Sequence, residues 1–179
     1  MNEQNLQQQG YALANYAIPS WEELPKISLY MDQVIVLMEE YLSIYQKDGD
    51  KIITPSMINN YVKLGIIPKP EKKRYNRIHL AYLIMVCSLK QILSISMIQK
   101  MLPVTMSEKE TAEAYSTFKE ALQQIFSDVT KQVMDRFGYL LEKEDVNRAD
   151  CFISFAQTAL TGNIYKIIAE KIVDSMEKL

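Results

Sequence analysis

Turn-forming residues are scarce in this sequence, with five glycines and six prolines among 179 residues. That shortage argues against a fold built from many tight turns and favours helices. There is a single histidine, His79. A general base or a metal ligand needs partners, and no cysteine or acidic residue stands at ligand spacing around it. Phosphate-cradling glycine loops and cysteine pairs at zinc spacing are missing too. These absences predict no catalytic residues, no metal site and no cofactor, so the chain is not expected to be an enzyme. The two cysteines, Cys87 and Cys151, lie far apart in apolar company. They read as free thiols of a reducing compartment. The longest uninterrupted apolar run, Leu80 to Cys87, has eight residues, where a membrane span needs roughly twenty. The N-terminus lacks the basic start and apolar core of a signal peptide. The expectation is a cytoplasmic protein with no membrane partner.

What is present is an uneven distribution of charge. The net formal charge is −2, yet Lys47 to Lys100 carries ten Lys/Arg against three Asp/Glu, a net of +7. The segments on either side are net acidic, −5 before and −4 after. A basic segment between acidic flanks is what binding to a polyanion requires.

Apolar periodicity predicts mostly helix. Leu29 to Tyr45 is amphipathic, with Ser28 as its expected cap and Gly49 in the loop beyond its end. Thr54 and Pro55 open a second, short helix, because Thr caps well and Pro is tolerated at the first helical position. That helix runs Ser56 to Leu64 and stops at Gly65. Pro68 and Pro70 keep Ile66 to Tyr75 out of a helix. Ile66-Ile67 and Arg74-Tyr75 are expected to pair as a small hairpin. Asn76 caps a third helix to about Ile92, apolar almost all round and therefore the expected centre of a core. Ser94 starts a fourth, which Pro103 closes. Ser107 with Glu110 forms a capping-box pattern ahead of a long helix to about Leu141. Its seam is Tyr115, Phe118, Leu122, Ile125 and Val129, and Gly138 is a candidate bend. Glu142, Glu144 and Asp145 read as a solvated linker rather than a cation site. Two last helices are expected, about 149–160 and 163–177, split at Thr161-Gly162.

The short second helix carries the functional signal. On a wheel of about 100° per residue, Ser56, Asn59, Asn60 and Lys63 share one face, and Met57, Ile58, Tyr61, Val62 and Leu64 take the rest. Asn amides can donate to and accept from adenine, Lys reaches guanine or phosphate, and Ser suits base edge or backbone. No carboxylate lies on that face. Lys69, Lys72, Lys73, Arg74 and Arg77 follow directly, opposed only by Glu71. Such a helix beside a cationic loop could read bases with one part and hold phosphates with the other.

The stretch from Ser56 to Pro68, SMINNYVKLGIIP, resembles the recognition helix and wing entry of MerR-type regulators. The continuation through Lys73, Tyr75, Asn76, Leu80 and Leu83, and the short helix from Ser94 to Leu102, are similar to the same family. The likeness covers about Ile52 to Leu102, and the turn Leu64 to Pro68 is its most specific part. It departs at Asn59, where the family commonly has Arg, at Asn60 in place of Tyr, and at His79 in place of an acidic residue. As a whole the chain resembles a bacterial family of unknown function that carries a MerR-like domain. The resemblance implies that Ile58, Leu64, Leu80 and Leu83 are core. It also implies that Asn59, Tyr61, Lys73 and Tyr75 face DNA, and that two copies pair through the helix after the DNA-binding domain.

The predicted fold is therefore all-α: a MerR-like winged helix-turn-helix with a small β-hairpin wing, then a long helix and two more. Residues 1–20 are expected to be a flexible arm, 21–103 the DNA-binding domain, and 104–179 a dimerisation or effector region. The predicted function is a transcription regulator that binds double-stranded DNA as a homodimer, with helix 55–64 in the major groove and the basic wing 68–77 on phosphates. The alternative is a non-catalytic adaptor that offers the same basic face to an acidic protein. A small-molecule effector near Phe152, Phe155 and Tyr165 lacks convergent polar groups to orient it.

Overall fold

A computed structural model of the chain describes residues 3–47, 49–141 and 147–176. Among these, seven α-helices and one short 3-10 turn account for the regular structure, and the only β-pairing is two isolated bridges. The helices are α1 (Glu3–Ala14), α2 (Met31–Tyr41), α3 (Pro55–Lys63), α4 (Arg77–Leu89), α5 (Ile95–Met101), α6 (Glu108–Leu141) and α7 (Arg148–Met176). The acidic linker expected at Glu142, Glu144 and Asp145 lies outside the described residues. No helix among the described residues is long and apolar enough to cross a membrane. The chain divides into two compact units, residues 18–120 and residues 1–17 with 121–179.

The unit 18–120 is built around α4. Every residue from His79 to Ser88 is buried, as a helix apolar on all sides demands. α2 packs on both α3 and α4, burying Val34 and Met38. It begins two residues later than Leu29, because Leu29 is taken by a β-bridge with Tyr75, so its N-cap is Tyr30 and not the expected Ser28. The α4 start is fixed by Asn76, whose side-chain oxygen accepts from the backbone N–H groups of Ile78 (3.1 Å) and His79 (3.4 Å). The far end is tied by the Lys90 ammonium, which donates to the Ile52 carbonyl at 3.2 Å. The Tyr82 hydroxyl donates to Pro103 O at 2.6 Å and anchors the segment after α5. Cys87 is buried, and burial pushes its thiol up to about 12, so it is an inert packing residue.

The expected hairpin between Ile66-Ile67 and Arg74-Tyr75 is not what forms. The Ile66 N–H is taken by Tyr61 O at 2.9 Å, and the Ile66 and Ile67 side chains are both buried. Tyr75 pairs with Leu29 instead, by Leu29 N–H to Tyr75 O (2.8 Å) and Tyr75 N–H to Leu29 O (2.9 Å). What remains of the hairpin is the tight turn Glu71 to Arg74, closed by Arg74 N–H to Glu71 O at 2.8 Å.

His79 gives this unit a pH dependence. Its ring is buried, meets the Tyr75 ring edge-on at 5.5 Å, and accepts at Nδ1 from the Asn76 N–H at 3.1 Å. Burial pushes the imidazole below its ordinary range, while the Lys69 backbone and the Glu71 carboxylate pull the other way. A depressed folded pKa means that the unfolded chain takes up the proton first. Stability is therefore full above the ordinary histidine range, at about 6.5, and declines as pH falls through the lower folded value. Thermal unfolding should show a lower midpoint at about pH 5.5 than at about pH 7.5. His79→Gln keeps a capping acceptor at this position and should flatten that difference. An equal slope in the variant would remove His79 as its source.

The second unit holds α1, the later part of α6, and α7. Residues 3–14, in the expected flexible arm, form α1. Its Gly10 is buried, and a Cβ there would lie 2.6 Å from Met134 Sδ, so glycine lets this helix approach α6 closely. The Tyr16 and Phe126 rings meet edge-on at 4.9 Å. The break expected at Thr161-Gly162 is absent, and α7 is one helix of 29 residues. A helical glycine costs only about 1 kcal/mol relative to alanine, too little to interrupt it. Gly138 likewise lies within α6, which runs on to Leu141. At the start of α6 the expected capping box is present. The Ser107 N–H donates to Glu110 Oε2 (2.7 Å) and the Glu110 N–H to Ser107 Oγ (3.3 Å).

Candidate nucleic-acid interface

α3 is a nine-residue helix whose two ends are both fixed by local chemistry. At its start the Thr54 hydroxyl accepts from Met57 N–H at 3.2 Å, and Pro55 occupies the first turn. Such a cap is worth about 1 kcal/mol. At its end Gly65 takes φ +66°, and the Ile66 N–H reaches Tyr61 O (2.9 Å) while the Gly65 N–H reaches Val62 O (3.1 Å). This is a Schellman closure, which needs a left-handed residue at that position. It turns the chain so that Ile66 and Ile67 enter the core. From α5, the Gln99 side chain donates to Leu64 O at 2.7 Å and holds the same corner.

With the ends fixed, the faces of α3 are fixed too. Ser56, Asn59, Asn60 and Lys63 are all exposed, and Ile58 and Tyr61 are buried. The amide face expected to meet DNA is open to solvent, and α3 contains no acidic residue. Tyr61 is a correction. The MerR resemblance implied a DNA-facing tyrosine, but its ring is 3% exposed and burial pushes its hydroxyl far up. The helical wheel had put Tyr61 on the apolar side, and the wheel was the better guide. Leu64 is a correction in the opposite sense, implied as core but 40% exposed at the helix end.

The cations after α3 fall into two groups. Lys69, Lys72 and Lys73 are exposed, as is Lys63 on the helix. No carboxylate among the described residues pairs with any of these four. Lys72 and Lys73 both have positive φ, +48° and +62°. They form the tip of the Glu71–Arg74 turn, with the two successive positive φ values of a type I′ turn.

Arg74 and Arg77 are held by their own fold. The Arg74 guanidinium lies 4.5 Å over the Tyr30 ring and also donates to the Tyr30 hydroxyl at 2.7 Å. Arg77 is half-buried, 5.1 Å over the Trp21 ring, and donates to Leu24 O at 3.5 Å. Arg77 therefore braces the entry to α4 instead of reaching outward. Tyr75, also expected to face DNA, is 3% exposed and sits between the Leu29 bridge and the His79 ring. Tyr30 was missed by the sequence reading. Its role toward Arg74 spans 44 positions, and no local pattern reports such a pairing.

The seam expected for dimerisation also divides. Tyr115 is fully buried within its own unit, where its hydroxyl donates to Pro19 O at 2.7 Å and its ring faces Trp21 at 6.4 Å. It is a core residue and not an interface residue. Phe118 and Leu122 are half-buried, while Ile125 and Val129 are exposed. Among the described residues no cluster of three or more His, Cys, Asp or Glu could hold a metal ion.

Residues 19–135 match a family described as a domain of unknown function, DUF1836. The match spans more than half of the chain, and the chain belongs to that family. No curated protein and no solved structure matches it at a significant level.

Proposed function

We propose that this member of the DUF1836 family is a DNA-binding regulator. In this reading Asn59 and Asn60 address base edges in the major groove, Lys63 and Ser56 assist at its border, and Lys69, Lys72 and Lys73 contact phosphates. The observation that carries the reading is the exposed, carboxylate-free Asn59–Asn60 face of α3, capped at both ends. Paired amides without an apolar patch are poor material for a protein interface, whose core is aromatic and apolar. They suit adenine edges, where one amide both donates and accepts. The likeness of residues 56–68 to MerR-type recognition helices supports the same assignment. The small turn at 71–74 stands where that family has a wing.

Selection of bound duplexes from a random pool should return a defined motif. Replacing Asn59 and Asn60 together with Ala should then reduce the preference for that motif over random duplex by about 30-fold or more, since each amide–base pair is worth about 1–3 kcal/mol and two are lost. Affinity for random duplex should change little. If no motif emerges and wild-type duplex binding is weak, the regulator reading fails.

A further inference from the structure

On the premise that this chain binds duplex DNA, we infer that Tyr30 is a positioning residue of the interface. It holds the Arg74 guanidinium back from phosphate, and so sets how many charges of the basic turn reach the nucleic acid.

The pairing follows from the register of one bridge. Leu29 and Tyr75 exchange both backbone hydrogen bonds, at 2.8 and 2.9 Å. In antiparallel order the next opposed positions are Tyr30 and Arg74, a pair with no backbone bonds of its own, where side chains approach most closely. Side chains alternate between faces along an extended segment. Leu29 and Tyr75 are buried, 6% and 3% exposed, so Tyr30 and Arg74 turn to solvent, where both are exposed. Tyr30 is extended, at φ −82° and ψ 163°, and its N–H donates to Gln33 Oε1 at 2.9 Å as the cap of α2. Its ring therefore has a fixed place beside the turn that carries Lys72 and Lys73.

On that face the two side chains are joined twice. The guanidinium lies 4.5 Å over the Tyr30 ring, and Arg74 Nη2 donates to the Tyr30 hydroxyl at 2.7 Å. Both contacts end on one side chain, so turning the guanidinium outward to a phosphate gives up both at once. Together they are of the same order as a single phosphate contact. Lys72 and Lys73, its neighbours in the chain, have no ring or carboxylate among the described residues to hold them. Phosphate contacts strengthen binding to every sequence alike. Holding one back loosens random duplex, and leaves a preferred sequence to be retained by its contacts with Asn59 and Asn60.

Anisotropy titrations of the full chain on random-sequence duplex across a salt series test this. Tyr30→Leu keeps the backbone bridge of Leu29 and removes both ring and hydroxyl. It should steepen the slope of log K against log salt by about 0.9 and raise affinity at about 0.15 M salt by about fivefold. Adding Arg74→Gln to that variant should abolish both gains, whereas a merely loosened fold weakens binding whatever stands at position 74. Arg74→Gln alone should leave the wild-type slope unchanged, and it tests the same point if Tyr30→Leu melts early. A slope that falls with Arg74→Gln alone, or that a folded Tyr30→Leu leaves as it was, would overturn the inference while the DNA-binding reading stands. A flat salt response of the wild-type chain would remove both.

Discussion

Duplex affinity should fall by about two orders of magnitude per protomer when salt rises from about 50 to 200 mM. The magnitude comes from counterion release, in which log K falls with log salt at a slope of about −0.9 for each phosphate neutralised. Four cations are free to do this: Lys63, Lys69, Lys72 and Lys73 are exposed and unpaired by carboxylates among the described residues. Arg74 is occupied by Tyr30 and Arg77 by Trp21 and Leu24. The expected slope is therefore about −3.6 per protomer, shallower than the basic composition of the segment implies. Anisotropy titrations across a salt series measure it directly. Lys69→Ala should reduce the slope by about one unit. Arg77→Ala should leave the slope alone and lower stability by about 1 kcal/mol, since it removes a partly buried cation–π contact. A flat salt response in the wild-type chain would end the nucleic-acid reading. A slope that falls with Arg77→Ala would restore that residue to the interface.

The residues that could be placed from sequence are those whose environment is local. Thr54, Asn76, Ser94 and Ser107 cap the helices they precede, because a cap is satisfied within three residues of itself. The all-round apolar run of α4 announced a buried helix before any packing was known. The exposed face of α3 followed from its wheel. Apart from Ser28, whose place as the cap of α2 is taken by Tyr30, the misassigned residues are those whose partners are distant in sequence. Tyr75 bonds Leu29, Arg77 stacks on Trp21, and Tyr115 reaches Pro19 across 96 positions. An arginine in a basic run looks free until the ring that holds it is known. A tyrosine on a heptad seam looks like an interface residue until the fold supplies a carbonyl for its hydroxyl. Gly162 misled for a different reason. Between Thr161 and Asn163 it reads as a stop signal, but a single glycine costs only about 1 kcal/mol, which is small against the rest of a long helix.

The turn at Lys72 and Lys73 offers the sharpest separation of stability from function. Both residues hold positive φ, a region that costs a side-chain-bearing residue roughly 1 kcal/mol or more. Turns of this geometry favour Asn-Gly, and Lys72→Asn with Lys73→Gly would relieve the strain. The added freedom of glycine in the unfolded chain offsets part of the gain, which leaves a stabilisation of about 0.5–1 kcal/mol. For a unit of this size that raises the unfolding midpoint by about 3–5 °C. The same variant removes two of the four free cations. Its salt slope should fall by about 1.8, and its duplex affinity at about 0.15 M salt by roughly 30-fold. Thermal melting and a binding titration on one sample read both effects. Under the DNA-binding reading they have opposite signs, because the lysines then hold a strained backbone for the sake of their charge. If the turn is only a surface connection, the chain becomes more stable and loses no affinity. A variant that binds duplex as tightly as wild type would therefore remove Lys72 and Lys73 from the interface, and with them half of its free charge.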